Sequence, residues 1–557
     1  MKQRSPFSCR MGSAPFVRSA FLILFVLLSV LVSAEPVRFV LVHTSDMHGH
    51  MAAVPDPLSQ EKKRPLVGGF AVLKTFIDGV RRDAFFSGAM PLVLDSGDWF
   101  QGTPIVDETR GSCMIDLITT MRYAAVALGN HDFDYGIGRL QEMMGQARYP
   151  ILCCNAFWGN TGKLFDHLRP YIMVPFKGRK IAIIGVITPF MDKMAFESNI
   201  RGLVFKDPRP ILEKLVPQMR KQGADAVILL SHLGIEDDRK IAREVRGIDL
   251  ILGGHSHTTM TQIEYAEPGH TAIIHPGADM RTLSKIEVSV DHGISPVIKF
   301  TPTVLFASEY PEDIEVKTKI DSYLERVREK VSEILGFSQV ELNRGIIGGD
   351  SSLGGFVADA MREETNADFA FVNIGGIRYP ITRGPITYET VFLLQPFANT
   401  IDLLTMTGKQ VVDIVEKSLS VPFTPINEED KLYAKENFKL FAEGFKREFH
   451  GDYGYLIPSN LLLTYDPALP AMKRLTKITD GSGRALEPEK AYKIALNNFM
   501  SLGGDGYSFL LTWKPRQETK LLVRDAVVNF IRKKKIIKEV PPARMFNLKL
   551  TTRSCEN

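Results

Sequence analysis

Five short apolar runs in the first half of the chain are each followed directly by side chains that can bind metal ions. Short runs rich in Val, Ile and Leu are typical of buried strands in an α/β sheet. In such sheets, ligands bind in the crevice beyond the carboxyl ends of the strands. We therefore predict one metal centre, built from the segments His43–His48, Asp95–Asp98, Gly129–Asp132, Ser231–His232 and Gly253–His257.

None of these segments is specific when it is taken alone. A single Asp-x-His pair, such as Asp46 and His48, is more often a solvated turn than a pair of ligands. The segment Gly129–Asp132 also fits a plain turn, because Gly and Asn tolerate left-handed backbone geometry. All five segments, however, occupy the same position after a predicted strand. This joint pattern favours a metal site.

The five segments resemble the metal-binding motifs of the calcineurin-like metallophosphoesterases. Within that superfamily the chain is similar to the 5'-nucleotidase/UDP-sugar hydrolase family, which adds a specific C-terminal domain. The second half carries matching pieces at Asn373–Arg378, Gln395–Phe397, Asn498–Phe499 and Gly503–Tyr507. The resemblance implies an α/β protein in which a four-layer α/β/β/α sandwich is joined by a linker helix to a second, substrate-binding α/β domain.

Hydrolysis of a phosphate ester requires an activated water and neutralisation of charge on the phosphoryl oxygens, and two divalent metal ions about 3.5–4 Å apart supply both. The resemblance implies that Asp98 bridges two such ions. One ion is then bound by Asp46, His48, Asp98 and His257, and the other by Asp98, Asn130, His232 and His255. These O and N ligands suit divalent transition metals such as Zn, Mn, Fe or Co better than Ca or Mg.

His131 remains after the ligands are assigned, and Asp134 follows it by three residues. Residues three apart share a face in the first turn of a helix. An Asp that orients a His and favours its cationic form is suited to stabilising a transition state. We predict that His131 and Asp134 form a catalytic dyad. The alternative is that Asp134 simply caps a helix.

The resemblance also implies that the C-terminal domain binds the nucleotide. In this family two aromatic rings sandwich the base, an aspartate holds the ribose, and Asn and Arg side chains contact base and phosphate. These roles carry over to Phe397, Phe499, Asp505, Asn373 and Arg378. Alternatively, both Phe side chains belong to the core, where most Phe residues lie, and Gly503–Gly506 is a plain turn.

One arginine that the family uses on the phosphate side is absent from this sequence. Counting back from Leu353 and Gly354 places that arginine at Ile347. Arg344 is three residues away and is the candidate replacement.

The N-terminus has the features of a secretory signal. Four basic residues precede an apolar run at 20–28, and Val32–Ala34 offers small residues for cleavage before Glu35. We expect residues 1–34 to be removed and the protein to be periplasmic or secreted. The apolar run is short for a membrane span, so we expect no stable membrane anchor. Cleavage lowers the formal net charge from +4 to 0, which indicates no nucleic-acid polymer as partner.

The chain has 557 residues, enough for two or more domains. Apolar residues recur at helical spacing from Pro311 to Gly336, and Glu312 and Asp313 stand where the first turn of a helix favours acidic residues. We interpret residues 309–337 as a linker helix. It would separate a metallophosphoesterase domain at 35–308 from a substrate-binding domain at 338–550.

Together these features predict an exported, monomeric 5'-nucleotidase that removes the 5'-phosphate of nucleotides with a metal-activated water. Two alternatives use the same site, namely a UDP-sugar or nucleoside-diphosphate hydrolase and a 2',3'-cyclic-nucleotide phosphodiesterase. A third, of a different class, is a surface nucleotide-binding protein with weak catalysis. The complete set of metal-binding residues argues against the third alternative, because a site that had lost its catalytic role would also have lost some of its ligands.

Overall fold

The computed structural model describes residues 36–56, 64–267, 270–344, 350–420, 423–425, 445–447, 454–513 and 515–548. The predicted signal segment, 1–34, lies outside these ranges. No helix in the described part of the chain is long and apolar enough to cross a membrane. Its cysteines, Cys113, Cys153 and Cys154, are buried and form no disulfide with one another.

The N-terminal half contains two large β-sheets. From edge to edge, the seven-stranded sheet consists of Ile294–Val304, Thr282–Asp291, Val37–Thr44, Met90–Asp95, Ala125–Ala127, Ile151–Leu152 and Leu168–Arg169. The six-stranded sheet consists of Glu264–Ala266, Thr271–Ile274, Leu250–Gly253, Ala226–His232, Arg179–Ile187 and Tyr171–Phe176. Within each sheet, the strands that lead into the predicted ligands run parallel to one another. Their carboxyl ends therefore lie at one edge.

Alternation along the strands explains how the two sheets are buried. In the strand Val37–Thr44, Phe39 and Leu41 pack against the second sheet, whereas Val40 and Val42 pack against helices on the opposite face. Successive side chains of a strand point to opposite faces, so a strand with apolar residues at every position must be covered on both sides. This arrangement is the predicted four-layer α/β/β/α sandwich.

Helices form the two outer layers. The first sheet is covered by Phe70–Phe86, Ser112–Met121 and Ile137–Gln146 together with Pro104–Thr109, and the second by Arg209–Lys221 and Ile235–Glu244. The remaining elements are the helices Met191–Met194 and Glu197–Ile200, the 3₁₀ helix His131–Phe133, and the strand pairs Val54–Pro55 with Leu66–Val67 and Ala156–Trp158 with Leu203–Phe205.

The C-terminal half is a second α/β domain with a hydrophobic core of its own. Its five-stranded sheet has the order Leu456–Ser459, Phe369–Asn373, Ala491–Asn497, Thr400–Thr407 and Arg516–Leu522. The smaller sheets are Gly384–Thr387 with Ile334–Ser338 and Ile536–Ile537, Leu475–Asp480 with Leu461–Tyr465 and Met545–Asn547, and Phe423–Pro425 with Phe445–Arg447. The helices are Ser352–Thr365, Tyr388–Leu394, Gly408–Leu419, Asn498–Ser501 and Val523–Lys534, with 3₁₀ turns at Ile374–Gly376, Gly504–Gly506 and Ser508–Thr512.

The predicted linker helix requires a correction. Asp313 caps the helix Ile314–Glu325 by accepting a hydrogen bond from the Val316 backbone N–H at 2.9 Å, as the acidic start signal suggested. A separate short helix, Arg328–Ser332, follows, and the chain then enters the strand Ile334–Ser338. The predicted helix was wrong at its C-terminal end, because residues 334–338 form a strand. This strand pairs with Gly384–Thr387 on one side and with Ile536–Ile537 on the other. The proposed domain boundaries stay predictions.

Candidate metal centre and substrate cleft

The seven predicted metal ligands lie together at the carboxyl ends of the strands. Six of them form two groups whose candidate donor atoms lie within 4.8 Å of one another, namely Asp46, His48 and His257, and Asp98, His232 and His255. Asn130 joins the second group, because its Oδ1 lies 3.2 Å from His232 Nε2 and 2.8 Å from His255 Nδ1. Asp98 stands between the groups, with its Oδ2 3.2 Å from His232 Nε2 and 3.8 Å from His48 Nε2.

The backbone around this cluster is strained in a consistent way. Five of the seven predicted ligands have positive φ angles, namely Asp46 at 50°, His48 at 45°, Asp98 at 61°, His255 at 72° and His257 at 53°. Residues other than glycine rarely adopt this left-handed conformation, which costs on the order of 1–3 kcal/mol per residue. Such strain persists only where the surrounding structure imposes it. Its concentration here marks a functional site.

Backbone carbonyls orient two of the imidazole rings. His48 Nδ1 lies 3.1 Å from the carbonyl oxygen of Gln101, and His232 Nδ1 lies 2.7 Å from that of Ser96. Because a carbonyl oxygen only accepts hydrogen bonds, each Nδ1 carries a proton and each Nε2 faces the cluster. His48 Nε2 presents a lone pair. For His232, although burial opposes it, the Asp98 carboxylate raises the pKa to about 10, so its Nε2 carries a proton that a bound metal ion would displace. Histidine ligands of metals are commonly held in this way.

The protonation states also fit a pair of divalent cations. Burial lowers the pKa of His48 to about 4 and that of His255 to about 3, so both rings are neutral donors at neutral pH. For Asp98 burial acts in the opposite direction, yet the charges of His232 and His131 hold its pKa well below the usual range. An anionic carboxylate between two sets of imidazole and carboxylate donors suits transition metal ions.

Asp132 organises the loops that carry the ligands, a role that its sequence context did not predict. Its buried carboxylate accepts hydrogen bonds from the backbone N–H groups of Gly129 and Trp99, both at 2.8 Å, and of Asp98 at 3.2 Å. These contacts hold the loop before Asn130 against the loop that contains Asp98. A buried carboxylate that satisfies several backbone donors fixes geometry strongly. The only sequence signal for this role was its position directly after Asn130 and His131.

His131 and Asp134 are in contact, as predicted. His131 Nδ1 lies 2.9 Å from Asp134 Oδ2, and the His131 backbone N–H donates to Asp98 Oδ1 at 2.8 Å. Although burial opposes it, the carboxylates of Asp134 and Asp98 raise the pKa of His131 above its ordinary value. The 3₁₀ turn His131–Phe133 brings the two side chains to one face. A catalytic role for the pair stays a prediction.

Two predicted substrate residues of the C-terminal domain reach this histidine. Arg378 Nη2 lies 3.4 Å from His131 Nε2, and the Phe397 ring centroid lies 5.5 Å from that of His131. The Arg378 guanidinium also lies over the Phe397 ring at 5.2 Å. Phe397 is only half-buried and lies outside the C-terminal core, so the core-packing alternative does not describe it.

The other predicted substrate residues form a second group of contacts. The Asn373 side-chain N–H donates to Asp505 Oδ2 at 2.7 Å, and Asp505 has a positive φ of 52°. Phe499 is half-buried, and its ring lies 6.1 Å from that of Phe196 in the N-terminal domain. Gly504 permits this position of Phe499, because a Cβ at Gly504 would clash with the ring.

Arg344, the candidate replacement for the missing arginine, lies within the described residues, whereas Ile347 lies outside them. Burial lowers the pKa of His257, and the positive charges of Arg378 and Arg344 lower it further. Both arginines therefore contribute positive electrostatic potential at His257.

Comparisons with known proteins agree with this geometry. Residues 39–259 match the calcineurin-like phosphoesterase family, and residues 334–512 match the family described as the 5'-nucleotidase C-terminal domain. The matches occur in the predicted order. The chain belongs to the 5'-nucleotidase family of metallophosphoesterases. The predicted family is thus confirmed, and its phosphoesterase domain makes the protein a hydrolase.

Two similar proteins align with more than four fifths of this chain. The human 5'-nucleotidase is 25% identical over 545 residues, which are 89% of this chain and 88% of the relative. The trifunctional nucleotide phosphoesterase protein YfkN of Bacillus subtilis is 26% identical over 508 residues, or 84% of this chain, but the match spans only 32% of that larger relative.

Solved structures confirm the fold of the family member. A 5'-nucleotidase precursor from Thermus thermophilus superposes with a TM-score of 0.79 at 26% identity, covering 92% of this chain and 99% of that one. A sulfate thiohydrolase from the same genus superposes with a TM-score of 0.75, covering 92% and 96%, but at 20% identity this likeness concerns the fold alone.

The bridging position of Asp98 leads to a first prediction. Asp98→Asn removes the charge shared by both donor groups, so the variant should lose metal and hydrolytic activity together. Metal analysis of the purified protein, combined with a phosphate-release assay, measures both. We expect close to two equivalents of transition metal in the wild type. A variant that kept two equivalents and the wild-type rate would show that the ligand assignment is wrong.

The contact between His131 and Asp134 leads to a second prediction. His131→Ala should retain metal but lose about 10²–10⁴-fold in kcat, the range for removing one acid–base or transition-state donor. Asp134→Asn should cause a smaller loss with the same KM, since it removes only the group that orients the ring. Steady-state kinetics and metal analysis test both variants. Loss of metal from His131→Ala would make the residue a ligand and exclude the dyad.

Proposed function

We propose that the protein is an exported 5'-nucleotidase, which hydrolyses nucleoside 5'-monophosphates to nucleoside and phosphate. The observation that carries this proposal is the meeting of the two domains at His131. Arg378 and Phe397, from the C-terminal domain, lie against this histidine directly beside the two metal-binding groups. A phosphoryl group at the metals and a base on the C-terminal domain therefore belong to one small ligand.

The roles of the side chains follow from their positions. When bound, two divalent ions would supply an activated water and neutralise charge on the phosphoryl oxygens. Arg378 presents its guanidinium to the same region, where it can hold a phosphate oxygen. Asp134 keeps the Nδ1 proton of His131 in place, so that Nε2 faces the reacting group. From this position His131 can stabilise charge that develops in the transition state.

Recognition of the nucleoside is assigned to the two half-buried rings and to Asp505. Phe397 and Phe499 both face the N-terminal domain rather than the C-terminal core, as surfaces for stacking a base would. The Asp505 carboxylate accepts a hydrogen bond from Asn373 and is partly exposed, so ribose hydroxyls can reach it and donate hydrogen bonds to it. Arg344 is proposed to replace the missing phosphate-side arginine.

A broader substrate range is the second candidate. The Bacillus subtilis relative is named as a trifunctional nucleotide phosphoesterase, which favours activity on more than one class of phosphate ester. Nucleoside-diphosphate sugars and 2',3'-cyclic nucleotides would use the same metals and the same base-binding rings. A surface nucleotide-binding protein with weak catalysis is disfavoured by the complete set of seven metal-binding side chains.

Export and a monomeric state complete the proposal. The basic and apolar N-terminal segment supports secretion into the periplasm or the medium.

The metals are proposed to be Zn, Mn or Co, because the donor set combines imidazole nitrogens with carboxylate oxygens.

The stacking role of the rings leads to a third prediction, which also tests the proposed function. Phe397→Ala and Phe499→Ala should each weaken hydrolysis of AMP by roughly 1–3 kcal/mol, as for other aromatic platforms that stack bases. Hydrolysis of p-nitrophenyl phosphate, which has no base, should be largely retained. Phosphate release is measured for both compounds. With the wild type, UDP-glucose and 2',3'-cyclic AMP are tested by chromatography of the products, because cleavage of these diesters gives phosphomonoesters rather than free phosphate.

A matched control for these variants is Phe356→Ala, which removes a buried ring from the C-terminal core. Its losses should be similar on AMP and on p-nitrophenyl phosphate. If the Phe397 and Phe499 variants behaved like this control, the two rings would be structural. If the wild type released no phosphate from any nucleotide, the proposed function itself would be wrong.

A further inference from the structure

Arg524 is a buried cation at the contact between the two domains. Its side chain is only 7% exposed, and its Nη2 lies 3.8 Å from Asp107 Oδ2 of the N-terminal domain. Two further atoms of the guanidinium, Nε and Nη1, are buried and have no hydrogen-bond partner among the described residues. Burying a guanidinium with unused donors is costly, because these donors would be hydrated in water.

The location within the helix adds to this cost. Arg524 is the second residue of the helix Val523–Lys534, whose N-cap is Leu522. The N-terminus of a helix carries partial positive charge, which disfavours a cation in the first turn. Neither helix stability nor solubility therefore explains an arginine at this position. A residue that destabilises its own helix in this way is expected to have a role in another part of the molecule.

Arg524 contacts one element from each side of the substrate cleft. In the C-terminal domain its guanidinium stacks on Phe392, with the Cζ atom 4.0 Å from the ring centroid. Phe392 belongs to the helix Tyr388–Leu394, and the carbonyl oxygen of Leu394 accepts the backbone N–H of Arg378 at 3.0 Å. Phe397 follows three residues after this helix. The stacked ring therefore supports the segment that carries both groups facing His131.

On the other side, Asp107 connects Arg524 to the catalytic dyad. Asp107 Oδ1 accepts a hydrogen bond from the Tyr135 hydroxyl at 3.2 Å, while Oδ2 faces Arg524. Tyr135 directly follows Asp134, the carboxylate that holds His131. One aspartate thus joins the C-terminal domain to the residue next to the dyad.

We propose that Arg524 is a positioning residue that latches the two domains in the arrangement that places Arg378 and Phe397 over His131. When the domains are together, the Asp107 carboxylate offsets the buried charge of Arg524. When they separate, the guanidinium regains water and the link to Tyr135 is lost. Arg524 acts on the substrate only through these neighbours and touches no reacting atom.

A double-mutant cycle tests the latch with the full holoenzyme. Arg524→Gln and Asp107→Asn should each lower kcat/KM for AMP about tenfold, a typical coupling for residues in contact, and the double variant should lose no more than either single variant. Losses on p-nitrophenyl phosphate should be smaller, and metal content should not change. Additive losses, or equal losses on both substrates, would contradict the latch.

The control variant is Arg532→Gln, which removes an arginine of the same helix whose ion pair is with Glu333 rather than with Asp107. Its kinetics should match the wild type.

Small-angle X-ray scattering without substrate provides a readout independent of catalysis. The radius of gyration of Arg524→Gln and Asp107→Asn should exceed that of the wild type and of Arg532→Gln, because the unlatched domains separate more often. Identical scattering from all four proteins would overturn the inference. The kinetic comparison rests on the proposed function, whereas the scattering does not. If the wild type were inactive on nucleotides, the scattering comparison would therefore still test the latch.

Discussion

The buried charge of Asp98 is the constraint on which the rest of the centre depends. This carboxylate faces imidazoles of both donor groups and accepts the backbone N–H of His131. An ionised group so fully removed from water is stable only when it is paired and hydrogen-bonded. Three features hold these charges together. They are the strand ends of two sheets, the left-handed backbone of five ligand residues, and the hydrogen bonds by which Asp132 joins two loops. We propose that two cations beside Asp98 account for this arrangement.

The position of the centre determines how the second domain takes part. The predicted metal ligands all belong to the N-terminal domain, and the predicted base and ribose contacts belong to the C-terminal one. One nucleotide can touch both sets only when the domains are close, as in the contacts of Arg378 and Phe397 with His131. Release of product would then require opening, a motion that often limits kcat. An interface held by ion pairs such as that of Arg524 with Asp107 suits such a cycle better than an apolar seam.

Much of this centre could be predicted from the sequence because its parts share one structural position. Polar residues that follow parallel strands must meet at one edge of a sheet. The sequence therefore predicted that Asp98 and His232 lie close together, although they are far apart in the chain. The contact between His131 and Asp134 could be predicted from their local spacing. The strand at Ile334–Ser338 was missed because its pairing partners are distant in the chain, while its apolar residues fit helical spacing. The link between Arg524 and Asp107 has no motif, since it exists only through packing of two domains.

Anomalous diffraction from crystals grown with Mn²⁺ or Zn²⁺ is the most direct test of the central claim, that two cations flank Asp98. We predict two anomalous peaks. One should lie within bonding distance of Asp46, His48 and His257, the other within bonding distance of Asn130, His232 and His255, and Asp98 should contact both. A single peak, or peaks that leave Asp98 without a metal neighbour, would contradict this account of the site.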